Sequence, residues 1–133
     1  MKLVADANVL LSAVLGGRSK LVLQSPKIEQ ILTTAFTLGE VQEYAGELAR
    51  SKRLSVDAIL LATAALPVTI MDRDVYAQSI PKAERLIGAR DPEDVEVLAL
   101  ALHLKLPLWS NDRDFEAAGV ERYTTAQLLR RVL

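Results

Sequence analysis

Residues 92–105, PEDVEVLALALHLK, carry apolar side chains almost all the way round a helix: Val95, Val97, Leu98, Ala99, Leu100, Ala101, Leu102 and Leu104. Glu96 and His103 keep a single polar stripe. A helix of that kind needs partners on most of its sides, so it is expected to be largely buried. Asp91 stands where an N-cap belongs, Pro92 suits the first helical position, and Glu93 and Asp94 place negative charge in the first turn. Pro107 ends the helix, Leu108-Trp109 reads as a short buried strand, and Ser110-Asn111-Asp112-Arg113-Asp114 follows at once. One helix–strand unit therefore has acids before its helix and after its strand.

The rest of the chain repeats the alternation. Leu3-Val4-Ala5 is a continuous apolar run, the pattern of a strand covered on both faces. It ends at Asp6 and leads into a helix, Val9 to Leu15, stopped by Gly16-Gly17. Residues 18–30 carry mixed signals around Pro26. Ile31 to Phe36 is rich in β-formers. Thr37-Leu38-Gly39-Glu40 reads as a capping box opening a helix to about Lys52. A helix from Ser55 or Val56 to Leu66 and a strand Val68–Met71 come next. Asp72 to Ile87 reads as mostly helical, interrupted at Pro81 and closed by Gly88. Val120 to Tyr123 forms a last strand, and Thr124 to Gln127 a capping box before the closing helix Leu128–Leu133. Strands alternating with one or two helices imply a parallel sheet with helices on both faces, in one domain, 1–133.

Composition narrows the partners. The 16 basic and 17 acidic residues give a formal net charge of −1, so any attraction to nucleic acid must come from a local patch. With no cysteine there is neither a disulfide framework nor a thiolate metal site. No apolar run reaches membrane-spanning length, and Met1-Lys2 leads directly into the first strand without a signal peptide, so a cytoplasmic protein is expected.

In an open parallel sheet, ligands bind at the edge formed by the strand C-termini. Asp6 and Asp112 follow strands, and Glu40 lies early in the helix after the second strand. Asp94 opens a helix that runs antiparallel to the strand it feeds, so it starts above that same edge. Each acid has an ordinary reading as a cap or first-turn residue. Together they crowd: two unit charges ~4 Å apart repel by about 4 kcal/mol at an effective dielectric of 20. A divalent cation offsets that repulsion, and hard oxygen ligands without His or Cys point to Mg²⁺ or Mn²⁺.

The segments LVADANVLLSA, TLGEVQEYAGEL and DPEDVEVLALALHLKLPLWSNDRDF, in this order and spacing, resemble the PIN domain family, metal-dependent ribonucleases that include the VapC-like toxins of toxin–antitoxin pairs. The resemblance spans nearly the whole chain. It implies a three-layer α/β/α sandwich with a five-stranded parallel sheet of order 3-2-1-4-5. It also implies hydrolysis of RNA phosphodiester bonds at Mg²⁺ or Mn²⁺ held by Asp6, Glu40, Asp94 and Asp112. Asn8, Ser110, Asp91 and Asp114 would surround these and orient carboxylates or water. Asp91 competes with Asp94 for the third-acid role, and its use as a helix cap favours Asp94. The family resemblance raises a cognate antitoxin as a partner; surplus apolar surface on Val56–Leu66 suggests a homodimer. A catalytically inactive PIN-like module that binds RNA or protein is the alternative. A phospho-acceptor receiver domain, using Asp72 after the third strand, fits less well. Asp6 is followed by Ala7 and Asn8 rather than a second acid, and Thr124 rather than lysine follows the last strand.

Overall fold

A computed structural model describes residues 1–133. Five short strands, β1 (Lys2–Ala5), β2 (Gln30–Thr34), β3 (Thr69–Met71), β4 (Leu108–Trp109) and β5 (Arg122–Tyr123), form one sheet. All pairings are parallel and the order is β3-β2-β1-β4-β5, as expected. The apolar run of β1 is fully buried at Leu3, Val4 and Ala5 because it is the central strand with a core on each face. Alternation along the pleat sorts the strands between two cores. Val4, Leu32 and Leu108 face one, and Leu3, Ala5, Ile31 and Trp109 face the other.

The helices divide likewise. On the first face lie α5 (Arg73–Tyr76), α6 (Ile80–Ala83) and α7 (Val95–Leu104), contributing Tyr76, Ala83, Val95 and the run Val97 to Ala101. Six of the ten α7 residues are buried, which answers its near-continuous apolar surface. On the second face lie α1 (Ala7–Val14), α2 (Ser19–Leu23), α3 (Ala35–Ser51), α4 (Val56–Ala64) and α8 (Thr125–Val132). Gly16 takes a positive φ of 83° after α1, where glycine is unstrained. No helix is long and apolar enough to cross a membrane.

Three expectations about helix ends need correction. α1 starts at Ala7, directly after the Asp6 cap, and not at Val9. Thr37 does not open a capping box: β2 stops at Thr34, whose hydroxyl accepts from the Thr37 amide at 2.9 Å and so caps α3 three residues before the expected cap. Glu40 thus sits in the helix body with no capping duty. Asp91 makes no side-chain cap, because the chain enters α7 through a 3₁₀ turn, Pro92–Asp94, bonded by its backbone from the Asp94 amide to the Asp91 carbonyl at 3.0 Å. Gly88 closes its helical stretch as expected, as the last residue of a π-helical turn, Glu84–Gly88, and it matters for space: a Cβ there would lie 2.9 Å from Glu84 Cγ and 3.6 Å from Val95 Cγ2.

Candidate active site

The strand register builds the centre of the site. Ala5 pairs with Trp109, so the next residues, Asp6 and Ser110, leave the sheet side by side. Asp6 is 3% exposed. Its Oδ1 accepts from the Val9 amide at 3.1 Å, capping α1, and its Oδ2 accepts from the Ser110 hydroxyl. Ser110 Oγ in turn accepts from the Asp112 amide at 3.0 Å, and Asp112 Oδ1 accepts from the Asp114 amide at 2.9 Å. Asp112 is thereby the cap of a 3₁₀ turn, Arg113–Ala118. The ordinary capping role and membership of an acid cluster coexist, since a cap commits one lone pair of a group that offers about four.

Around this centre the acids crowd. One carboxylate oxygen from each of Asp91, Asp112 and Asp114 lies within 4.8 Å of the others. Freed from capping α7, Asp91 meets Asp114; the contact with that carboxyl, then burial, raises the Asp91 pKa. Its Oδ2 is buried with no hydrogen-bond partner. Burial pushes the Asp94 carboxyl up to about 7, helped by the charges of Asp6, Asp91, Asp112 and Glu93. Burial likewise pushes Asp6 up to about 6 against the favourable Ser110 and Val9 hydrogen bonds, with Asp112 adding repulsion. Glu40 rises to about 7, first through burial and then through Glu93, Asp94 and Glu43. The carboxyls of Asp6, Glu40, Asp94 and Asp112 are therefore electrostatic neighbours at one sheet edge, and Asp91 and Asp114 adjoin them. Asn8 contributes through its backbone amide to Asp6, while its side chain is exposed and makes no hydrogen bond. Asp72, by contrast, ends the outer strand β3, two strands away from β1. That placement excludes the receiver arrangement, which needs its acceptor beside the first strand's acids.

The donor set suits a hard divalent cation. All candidate ligands are carboxylate oxygens, three of them already gathered, and the orphaned Asp91 Oδ2 is the kind of buried acceptor that a cation or its water would satisfy. Arg90 stands on the rim, 3.4 Å from Asp114.

Two contributors escaped the sequence reading. Glu93, expected only as a first-turn charge, faces Glu40 and accepts from the Tyr44 hydroxyl at 3.5 Å. The spacing of Glu40 and Tyr44, one turn apart on α3, is the signal that could have found it. Arg122 in β5 donates to the Ser110 carbonyl at 3.1 Å and to Glu116 at 2.8 Å, fixing the loop that carries Asp112. A cleft of about 590 Å³ runs from Glu93 past Asn8 and Tyr44 toward Ser51, between α1 and α3.

Comparison with known proteins gives a consistent result. The family model described as PIN domain matches residues 4–132. No curated protein matches the sequence. Among solved structures, VapBC2 from Rickettsia felis bound to a promoter DNA fragment superposes with a TM-score of 0.63 at 14% identity, over 93% of this chain and 98% of that one. VapC20 from Mycobacterium tuberculosis, described as a sarcin-ricin loop cleaving toxin, gives 0.64 at 20% identity, over 89% and 95%. FitAcB from Neisseria gonorrhoeae gives 0.61 at 20%, over 95% and 99%. At such identities the structural likeness is one of fold.

Proposed function

The chain belongs to the PIN domain family, and from that premise we propose that it is a Mg²⁺- or Mn²⁺-dependent ribonuclease, the toxin of a toxin–antitoxin pair. The observation that carries the reading is the group Asp91, Asp112 and Asp114, gathered within 4.8 Å with one buried carboxylate oxygen left without a partner, beside Asp6, Glu40 and Asp94, whose carboxyls are pushed up by burial and by neighbouring acids. Asp6, Glu40, Asp94 and Asp112 would hold the cation, with Asp91 and Asp114 beside them. When bound there, the cation supplies an activated water at neutral pH and neutralises charge on the reacting phosphate.

The protein's own groups do the positioning. Ser110 ties Asp6 to the Asp112 backbone, so the two carboxylates from β1 and β4 move as one unit. Burial of Asp6 below the sheet edge keeps its oxygens out of bulk water, and Arg122 holds the Ser110 carbonyl from beneath. Glu93 and Glu40 adjoin each other beside Asp94, and Arg90 stands beside Asp114. An RNA phosphate would approach between them.

VapBC2 and FitAcB are named as pairs, which supports a cognate antitoxin for this chain. A homodimer is supported by α4, where Leu60 and Leu61 are 48% and 71% exposed, next to the exposed Leu54. The deciding experiment is cleavage of labelled single-stranded RNA with Mn²⁺ or with chelator. Wild type and Asp72→Asn should cleave with Mn²⁺, and Asp112→Asn should not. Metal-independent cleavage, or full activity in Asp112→Asn, would overturn the assignment. Binding without cleavage would leave an inactive RNA-binding module.

A further inference from the structure

Beside the loop that follows β4, between α1, the start of α2 and the start of α8, lies a second cavity of about 320 Å³ lined by Ser12, Arg18, Ser19, Asn111, Thr125 and Ala126. It contains one cation and no acid. Asn111, its neighbour to the active loop, sits between Ser110 and Asp112 in sequence and is turned away from them. Its carboxamide oxygen accepts from the Thr125 amide at 2.9 Å, and its nitrogen donates to Thr125 Oγ1 at 3.3 Å. Alternate residues of this short segment thus serve two different sites.

The cavity is furnished with unspent donors. Thr125 Oγ1 already accepts from Trp109 Nε1 at 3.0 Å and from Asn111, so its own proton has no acceptor in the protein. Ser19 is 2% exposed, lines the cavity, and its hydroxyl makes no hydrogen bond. The capping box of α8 satisfies the Thr124 and Gln127 amides, and Asn111 takes that of Thr125. The Ala126 amide remains, at the positive end of the helix. Arg18 is exposed and enters no ion pair. Gly17 keeps the wall open, because a Cβ there would collide with the Ser12 hydroxyl.

A set of donors with one guanidinium, no carboxylate and a helix start is complementary to a phosphate oxyanion. We propose that this cavity is an anion subsite that holds a backbone phosphate of the RNA, next along the strand from the phosphate at the acids. The inference rests on the ribonuclease reading above. The carboxylate-rich centre repels an unaccompanied polyanion, and the donor-lined cavity beside it gives the strand an attractive anchor whether or not a cation is present.

The test is equilibrium binding of a labelled single-stranded RNA to the full chain in chelator, by fluorescence anisotropy across a range of KCl concentrations. Arg18→Gln should weaken binding and reduce the magnitude of the slope of log K against log salt by about 0.7, the contribution of one phosphate contact to a single strand. Ser19→Ala removes a neutral donor and should weaken binding with the slope unchanged. Lys20→Gln removes an equal charge from an exposed residue outside the cavity and should leave the slope as in wild type. Circular dichroism and melting of each variant confirm that it is folded. Equal slope changes in Arg18→Gln and Lys20→Gln, or none in either, would overturn the subsite, even with wild-type cleavage intact. Wild type that neither binds this RNA nor cleaves it with Mn²⁺ would remove the ribonuclease reading and the subsite with it.

Discussion

Replacing Asp6 by Asn should stabilise the metal-free protein while destroying the metal site proposed for it. The carboxylate is 3% exposed and its pKa rises from 3.8 to about 6, chiefly because burial disfavours the charge. At pH 7 it is ionised in both folded and unfolded chains, so the raised value counts against folding. A rise of this size corresponds to about 3 kcal/mol. Asn keeps an oxygen for the Val9 amide but offers Ser110 an amide donor where the hydroxyl now finds an acceptor, which should return about 1–2 kcal/mol. The net gain is then about 1–2 kcal/mol, or a rise in Tm of roughly 3–8 °C for a domain of this size. The sign depends on pH. Wild type gains stability as pH falls through 6 and Asp6 takes up its proton in the folded state. The advantage of Asn should therefore shrink below pH 6 and vanish near pH 4. Melting curves of wild type, Asp6→Asn and Asp6→Ala in chelator at several pH values decide this. Alanine also loses the α1 cap, at a cost of about 0.5–2 kcal/mol, and should melt below Asn. An Asn variant that melts lower than wild type at pH 7, or whose advantage is the same at pH 4, would refute the electrostatic argument.

Other outcomes can be checked independently. Mn²⁺ binding should tighten as pH rises through about 7 and release protons, because Glu40 and Asp94 must ionise to serve as ligands; calorimetry in buffers of different ionisation enthalpy reads the proton count, and pH-independent binding would contradict it. Thr34→Val should cost about 0.5–2 kcal/mol, since it removes the α3 cap and leaves the buried Thr37 hydroxyl without its partner; urea titration measures it, and an unchanged midpoint would mean that the cap contributes nothing. Sedimentation at micromolar concentration should give twice the chain mass, and Leu61→Lys should reduce it to one, whereas a wild-type monomer would dismiss α4 as a self-association face.

The centre of the sheet was legible in the sequence because β1 and β4 are short apolar runs with no alternation, the pattern of a strand covered on both faces. Leu3-Val4-Ala5 and Leu108-Trp109 illustrate it, and their parallel register then carries Asp6 to Ser110. Helix ends were less legible. Thr34 and Thr37 are both competent caps, and the choice between them depends on where β2 stops pairing with β3, which is a tertiary fact. Asp91 looks like a cap by type and position, yet a 3₁₀ entry to α7 satisfies the turn by backbone bonds and releases the carboxylate to Asp114. Glu93 and Arg122 act through partners distant in the chain, Glu40 and Ser110, and no local pattern announces such pairs. The cavity beside Asn111 was hidden for the same reason: hydroxyls are common, and an unspent one is recognisable only once its neighbours are known.

The hydrogen bond from Ser110 to Asp6 joins residues 104 apart, and the strand order places β4 against β1, which is synthesised about a hundred residues earlier. During translation β1 can pair with β2 on one side, but its other edge stays bare until Leu108-Trp109 has left the ribosome. Until then Asp6 lacks Ser110, and Asp112 and Asp114 do not yet exist beside it. A nascent chain is thus without its acid cluster until it has been extended more than a hundred residues beyond Asp6. If the folded product cuts RNA, the topology itself delays the hazard to the ribosome and message producing it, leaving a cognate inhibitor that interval in which to be present.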